Sequence, residues 1–477
     1  MHILQIIVKN TSTMDFTLPL LWKAHESHPD YRPSILYCTF DKRQILRRSG
    51  YYSHQFEACG VTEYDFACFL KKPYCYFRPL LRWMFSRSPA DKMHLRELFQ
   101  QCKGSTHLSR LVRLILLLLK GQTLRAFVDS LVKSALVWLE RHTAPKMIPV
   151  ETILPRLAPD LVLFDNRSTT TFYGREHFYA YFDEHQKPVV LIPHGPHFRD
   201  PISEFTPFDE QGQILPTYCD YWMPLRFGTP WICTPKQKKQ YAVVGYPGFD
   251  QDWLTNVMNR SAHVASASDK RTRKCLFIVR RYLPAGVQRE AGLDPFIVDY
   301  EDFMEPLKAL SEAIRLSGEE IEVIVKPHPV NNYKELAHDF AKAGIQHWRI
   351  THEPIYAVLP EVDLVVSLFS TILLVPALAG IPTLVIETQL QRHVHQEWAL
   401  LRDLYTKLSF YVEHAEAVPT TFQKILVGGE VIRVACRQDI EHLRYYFPDR
   451  AIAAGLNRIT WLMTRQKQLP SFATLPN

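Results

Sequence analysis

The residues best suited to chemistry lie between positions 321 and 387, where three short apolar runs each end in polar or charged side chains. Ile321–Val325 leads into Lys326-Pro327-His328-Pro329, Asp363–Val366 into Ser367-Leu368-Phe369-Ser370-Thr371, and Thr383–Ile386 into Glu387. Lysine and histidine can meet anionic oxygens. Ser370 and Thr371 offer hydroxyls and, at the start of a helix, free backbone N–H groups that favour a phosphate. A further run, Lys274–Val279, ends in Arg280-Arg281, whose charge can stabilise a departing phosphate. Each motif alone has an ordinary explanation: prolines that stop a strand, a helix N-cap, solvated arginines. In this order, on successive strands, they predict an anion site with converging donors.

Such residues converge only if the runs are strands of one parallel sheet. Short Val-, Ile- and Leu-rich runs alternating with helix-like sequence are the pattern of βαβ units buried on both faces. Ligands of such sheets bind outside the strand carboxyl ends. The chain opens in the same way. Ile3–Val8 is a buried-strand pattern, TSTMDFTLPLLWKAHES has near-helical apolar spacing, and residues 34–40 form a second strand. No GxGxxG follows the first strand, which argues against nicotinamide dinucleotide chemistry. Three more strands end in chemically able residues. They are Asp160–Asp165, Pro188–Ile192 ahead of Pro193-His194-Gly195-Pro196-His197-Phe198-Arg199, and Tyr241–Val244 ahead of Gly245-Tyr246-Pro247-Gly248-Phe249-Asp250. The predicted fold is therefore α/β, with two Rossmann-like parallel-sheet domains facing a cleft. Residues 1–256 form the N-terminal domain, the polar stretch 257–274 the linker, and 275–450 the second domain; a nucleotide-sugar enzyme would use the first for its acceptor and the second for its nucleotide donor. A helix over Ala451–Gln466 lies in the last segment, 451–477.

Composition narrows the function classes. Of 477 residues, 47% are hydrophobic and 22% charged, which is globular rather than disordered. A net charge of +7 suits an anionic partner without selecting one. Nine scattered cysteines, with no CxxC pair, argue for reduced thiols in the cytoplasm. Residues 66–147 form an aromatic, basic insertion with leucines at helical spacing. They read either as helices with a solvated basic face or as an interfacial face held at the inner side of an anionic membrane. The apolar run Leu114–Leu119 falls far short of the ~20 residues that span a bilayer. No reader motif supports nucleic-acid binding. His393 and His395 lack a third ligand, and Asp250-Gln251-Asp252 sits at a helix start, so no metal or other cofactor is expected.

Two Rossmann-like halves, a linker and a final helix resemble the GT-B glycosyltransferases that use nucleotide-activated sugars. More narrowly, the motif order is similar to bacterial surface-polymer transferases: CDP-glycerol glycerophosphotransferases and capsule transferases using CMP-activated sugars. The resemblance rests on His194-Gly195, Gly245-Tyr246-Pro247 with Asp250, Lys326-Pro327-His328-Pro329, and Ser367 to Thr371 followed by Gly380-Ile381-Pro382. It implies a final helix that packs back towards the N-terminal domain. It also implies that His194 is the catalytic base, with Asp165 as the alternative, and that Gly195 and Arg199 lie on the acceptor side. Nucleotide phosphates would be held by Lys326, His328, Pro329, Ser367, Ser370, Thr371 and Arg280. Many relatives carry a ribose-binding Glu where this chain has Val375, so the resemblance implies either that another residue, such as Glu387, takes that role or that the donor is unusual. The implied activity is sugar transfer from a CMP-, CDP- or UDP-linked donor to a hydroxyl of a surface glycan or lipid-linked acceptor. Glycerophosphate transfer, sugar-nucleotide epimerisation and a non-catalytic scaffold are the alternatives.

Overall fold

The computed structural model describes residues 1–7, 13–28, 30–37, 43, 46–65, 150–165, 178, 181, 182, 184, 185, 187–192, 219–223, 241–259, 272–287, 297–328, 331–368, 370–387, 399–428 and 450–468. The basic stretch 66–147 lies outside these residues, as do His194, Gly195, Arg199, Pro329, His393 and His395.

The N-terminal lobe runs β1 (His2–Ile7), α1 (Met14–Ser27), β2 (Arg32–Tyr37), α2 (Gly50–Ala58), β3 (Thr62–Asp65), α3 (Val150–Leu157), β4 (Leu161–Asp165), β5 (Val189–Ile192), β6 (Cys219–Met223), β7 (Tyr241–Val243) and α4 (Gln251–Asn259). The second lobe runs β8 (Arg273–Ile278), α5 (Tyr300–Ser317), β9 (Ile321–Lys326), α6 (Tyr333–Ala343), β10 (Trp348–Ile350), α7 (Ile355–Val358), β11 (Leu364–Leu368), α8 (Leu374–Leu378), β12 (Thr383–Ile386), α9 (Ala399–Leu408) and β13 (Phe410–Val412). The helix α10 (Ala451–Gln468) follows. Ordered elements enter both ends of the stretch expected to be linker. α4 reaches Asn259 because Val257 is buried on its apolar face, and β8 begins at Arg273.

Both sheets are wholly parallel, with orders β3-β2-β1-β4-β5-β6-β7 and β10-β9-β8-β11-β12-β13. Each is the doubly wound order in which chain direction across the sheet reverses beside the first strand, opening a crevice there. Burial on both faces explains the apolar runs. Along β1, Leu4 and Ile6 join an outer core with Val162, Phe164 and Phe178, while Ile3 and Ile7 face the opposite layer. In β8, Cys275 and Phe277 point one way, Leu276 and Ile278 the other. This period of two is the pleat of the strand. Ile3, Ile7, Leu276 and Ile278 share one apolar cluster, filled in by α1, the turn Pro247–Phe249, α4, α7 and α8. The two lobes thus meet through a continuous hydrophobic layer.

Gly248 lies at the tightest point of that layer. The Tyr356 hydroxyl donates to its carbonyl at 3.1 Å. A Cβ on Gly248 would sit 2.2 Å from that hydroxyl and 2.8 Å from the Asp15 carbonyl. The backbone oxygen cannot give way cheaply, so Gly248→Ala is expected to destabilise the chain by about 1–3 kcal/mol. Thermal unfolding of the variant checks this.

The helix α10 docks on the first lobe. Gly455 lies against Leu20 and Trp222, with no room for a side chain. Arg458 makes a two-pronged ion pair with Asp220 of β6, both contacts 2.7 Å. Asp250 accepts the N–H groups of Asp252 at 3.1 Å and of Ile452 at 3.0 Å, capping the starts of α4 and α10 together.

Candidate active-site cleft

In the second sheet, β8 lies between β9 and β11, and the three strands leave the sheet in step. Ile278 pairs with Lys326 on one side and with Ser367 on the other. The Val279 N–H then donates to the Lys326 carbonyl at 2.9 Å, and the Ser367 hydroxyl to the Ile278 carbonyl at 2.8 Å. The turns that follow emerge side by side at the carboxyl edge, about 5 Å apart per strand. They carry His328, Arg280 and Ser370.

Their electrostatics are coupled. Arg280 is 8% exposed, and its carbonyl accepts the Asn331 side-chain amide at 3.1 Å, tying the β8 turn to the β9 turn. His328 is an exposed residue, yet partial burial of its ring pushes it down to about 4, assisted by the charges of Arg280 and Arg281. At neutral pH its imidazole is therefore uncharged and can donate one hydrogen bond to an anion. On the β11 side, the Ser370 carbonyl accepts the Tyr405 hydroxyl and the Leu373 N–H. The Arg280 charge also acts on the Tyr405 phenol, whose hydroxyl bonds the Ser370 carbonyl. Thr371 opens a short 3-10 turn over Thr371–Leu373 ahead of the five-residue α8. The helix expected at Ser370 is thus brief: Pro376 lies within it and Gly380, at φ 73°, ends it. So short a helix adds little dipole, and the positive potential here rests on side chains.

Other expected ligands have different duties. Ser367 is fully buried, its hydroxyl spent on the Ile278 and Leu368 carbonyls. Glu387, 3% exposed, pairs with Arg402 and is bonded by the Tyr411 hydroxyl. Val375 is buried in the inter-lobe layer. The Lys326 ammonium donates to the Glu353 carbonyl at 2.6 Å and feels Asp15 of the other lobe. Burial lowers its pKa, and the two carboxylates oppose that shift. Asp165 ends β4.

Two groups that no sequence motif indicated complete the cleft. The Glu353 carboxylate, from the turn after β10, reaches the other lobe and accepts the Ser49 hydroxyl at 2.5 Å and the Gly50 N–H at 3.0 Å, at the start of α2. Asp15, in the first turn of α1, accepts the Tyr52 hydroxyl at 2.8 Å. Both belong to contacts between or beside the lobes, around Lys326.

No protein-family model matches the sequence, and no curated protein matches it. Among solved structures, a protein of Listeria monocytogenes described as a UDP-N-acetylglucosamine 2-epimerase aligns over 97% of this chain and 96% of its own, at 14% identity and a TM-score of 0.51. The MnaA protein of S. aureus, solved with UDP, aligns over 97% and 96% at 12% identity and a TM-score of 0.48. The wall teichoic acid polymerase TagF, solved with its CDPG ligand, aligns over 98% and 90% at 9% identity and a TM-score of 0.45. The chain therefore has the GT-B fold: two parallel-sheet α/β lobes whose strand tips face a shared cleft.

Proposed function

We propose that the protein is a glycosyltransferase that moves a sugar from a CMP-, CDP- or UDP-linked donor to a hydroxyl of a surface glycan or lipid-linked acceptor. The supporting observation is the row Lys326–Ile278–Ser367, which brings the turns bearing His328, Arg280 and Ser370 together beside the switch point of the second sheet. A guanidinium and a neutral imidazole on adjacent turns suit a nucleoside monophosphate or diphosphate whose charge grows as it leaves. These groups supply positive potential without a metal ion, so no essential metal is proposed. On this proposal the acceptor enters from the first lobe, at Asp165, which ends β4, and at His194, Gly195 and Arg199, which follow β5 in the sequence.

No helix among the described residues is long and apolar enough to cross a membrane. A cytoplasmic protein resting on the inner membrane face through 66–147 fits a lipid-linked acceptor, and that placement belongs to the same proposal.

The test is a thermal-shift panel of CMP, CDP, UDP and GDP on the full chain. A ligand at a hundred times its Kd stabilises the fold by about 2.7 kcal/mol, so the cognate nucleotide raises the unfolding midpoint above the other three. Four nucleotides without effect at millimolar concentration would remove the nucleotide reading.

A further inference from the structure

Asp15 stands just past the carboxyl end of β1, the strand beside β4 where the order of the first sheet reverses. It is thus at the first sheet's switch point, as Arg280 is at the second's. The groups around it come from four elements. Tyr52 of α2 donates its hydroxyl, Tyr246 precedes the Pro247–Phe249 turn, Tyr356 belongs to α7, and Lys326 ends β9 on the opposing lobe. Three of these are phenols held neutral by burial, and Lys326 is the charged one. Burial of the carboxyl pushes Asp15 up to about 6, with the Tyr52 hydrogen bond and the Lys326 charge pulling the other way. Asp15 is nevertheless only half-buried over the whole residue and keeps some solvent contact.

A carboxylate in this place is costly to the fold. Its ordinary pKa near 3.8 rises to about 6, so the protonated form favours folding below about 3.8 and that gain is lost as pH rises through 6. An asparagine would keep a partner for Tyr52 and avoid the cost. A costly, half-buried carboxylate at the sheet's switch point, bonded by a tyrosine and facing the opposing lobe's Lys326, is the arrangement of a proton acceptor.

We propose that Asp15 takes the proton of the acceptor hydroxyl during transfer, and that Tyr52 is its positioning residue. This assignment rests on the glycosyl-transfer reading above. In the step, the acceptor O–H bond breaks as its proton passes to an Asp15 oxygen, and the acceptor oxygen bonds to the anomeric carbon. The bond from that carbon to the phosphate oxygen breaks, its electron pair leaving with the nucleotide, and Asp15 later returns the proton to water. β5, which precedes His194 in the sequence, lies two strands from β1 in the sheet, about 10 Å away. His194 is the rival for this proton.

The experiment compares wild type, Asp15→Asn, Tyr52→Phe and His194→Ala as full chains. It measures binding of UDP, CDP and CMP, and nucleotide release from UDP-N-acetylglucosamine, UDP-glucose and CDP-glycerol. Asp15→Asn is expected to lower kcat at least a hundredfold, the range of lost acid–base catalysis. Its nucleotide Kd stays within about twofold of wild type, and its unfolding midpoint at pH 7.5 is equal or higher. Tyr52→Phe moves the acid limb of the pH–rate profile to higher pH, because the hydrogen bond that lowers Asp15 is gone. Asp15→Asn with wild-type turnover overturns the assignment, as does loss of turnover in His194→Ala alone. Nucleotide binding with no release from any donor overturns it too. A wild-type chain that binds no nucleotide overturns the transfer reading, and this assignment falls with it.

Discussion

Arg280→Ala is expected to weaken nucleotide binding by about ten- to a hundredfold, the worth of a hydrogen bond made to a charged group, ~1.5–3 kcal/mol. Arg280 follows the middle strand of the three that form the cleft wall, and its charge acts on His328 of one flanking turn and on Tyr405, which bonds the other. It is buried, and a desolvated charge acts on a phosphate more strongly than an exposed one. Arg280→Lys restores the charge but loses the two-pronged geometry, and an intermediate affinity follows. The variant also carries an internal control. The Arg280 charge helps to hold His328 down near 4, so its removal moves the His328 ring upward in an NMR pH titration. Calorimetric titration with the cognate nucleotide, beside that ring titration, checks both parts.

Arg458→Ala is expected to destabilise the fold by about 3–5 kcal/mol, because it leaves the Asp220 carboxylate buried without its cation. Asp220 is 2% exposed and would retain only the Trp222 indole N–H, at 3.0 Å, of the partners described above. By the usual scaling for domains of about 150–250 residues, a loss of 3 kcal/mol lowers the unfolding midpoint by roughly 6–12 °C. Removing the carboxylate as well, in Asp220→Ala with Arg458→Ala, recovers part of that loss, since no uncompensated charge is left. Calorimetric scans of the two variants measure the difference. Because α10 is tied through this pair to β6, its release also loosens the first lobe.

The fold was legible where burial is complete. β1, β4, β5, β8, β9, β11 and β12 are apolar runs because both faces are covered. β3, β10 and β13 went unread because each lies at a sheet edge, where strands of three or four residues such as TEYD, WRI and FYV are too short to show an apolar pattern. β6 is interior to the sheet but contains Asp220, and only the distant Arg458 makes a charge tolerable there. Chain order therefore hid its reason.

The site divides along the same line. His328, Arg280 and Ser370 were readable because each follows its strand directly, and adjacency of strands is a property of the alternating pattern. Ser367 and Glu387 have the right residue types at the right tips, yet the sheet and Arg402 claim their polar atoms. Asp15 and Glu353 left no local mark. Asp15 is defined by Tyr52, 37 residues on, and by Lys326, while Glu353 is defined by Ser49, 304 residues earlier in the chain. Only folding brings those groups together.

The central claim is that a nucleotide's phosphate rests against the turns after β8, β9 and β11. The most direct measurement is a crystal structure of the full chain with the nucleotide selected by the thermal-shift panel. The account predicts phosphate oxygens within hydrogen-bonding distance of the Arg280 guanidinium and the His328 ring, with the Ser370 turn alongside. A phosphate seated elsewhere, with Arg280 and His328 untouched, would contradict it.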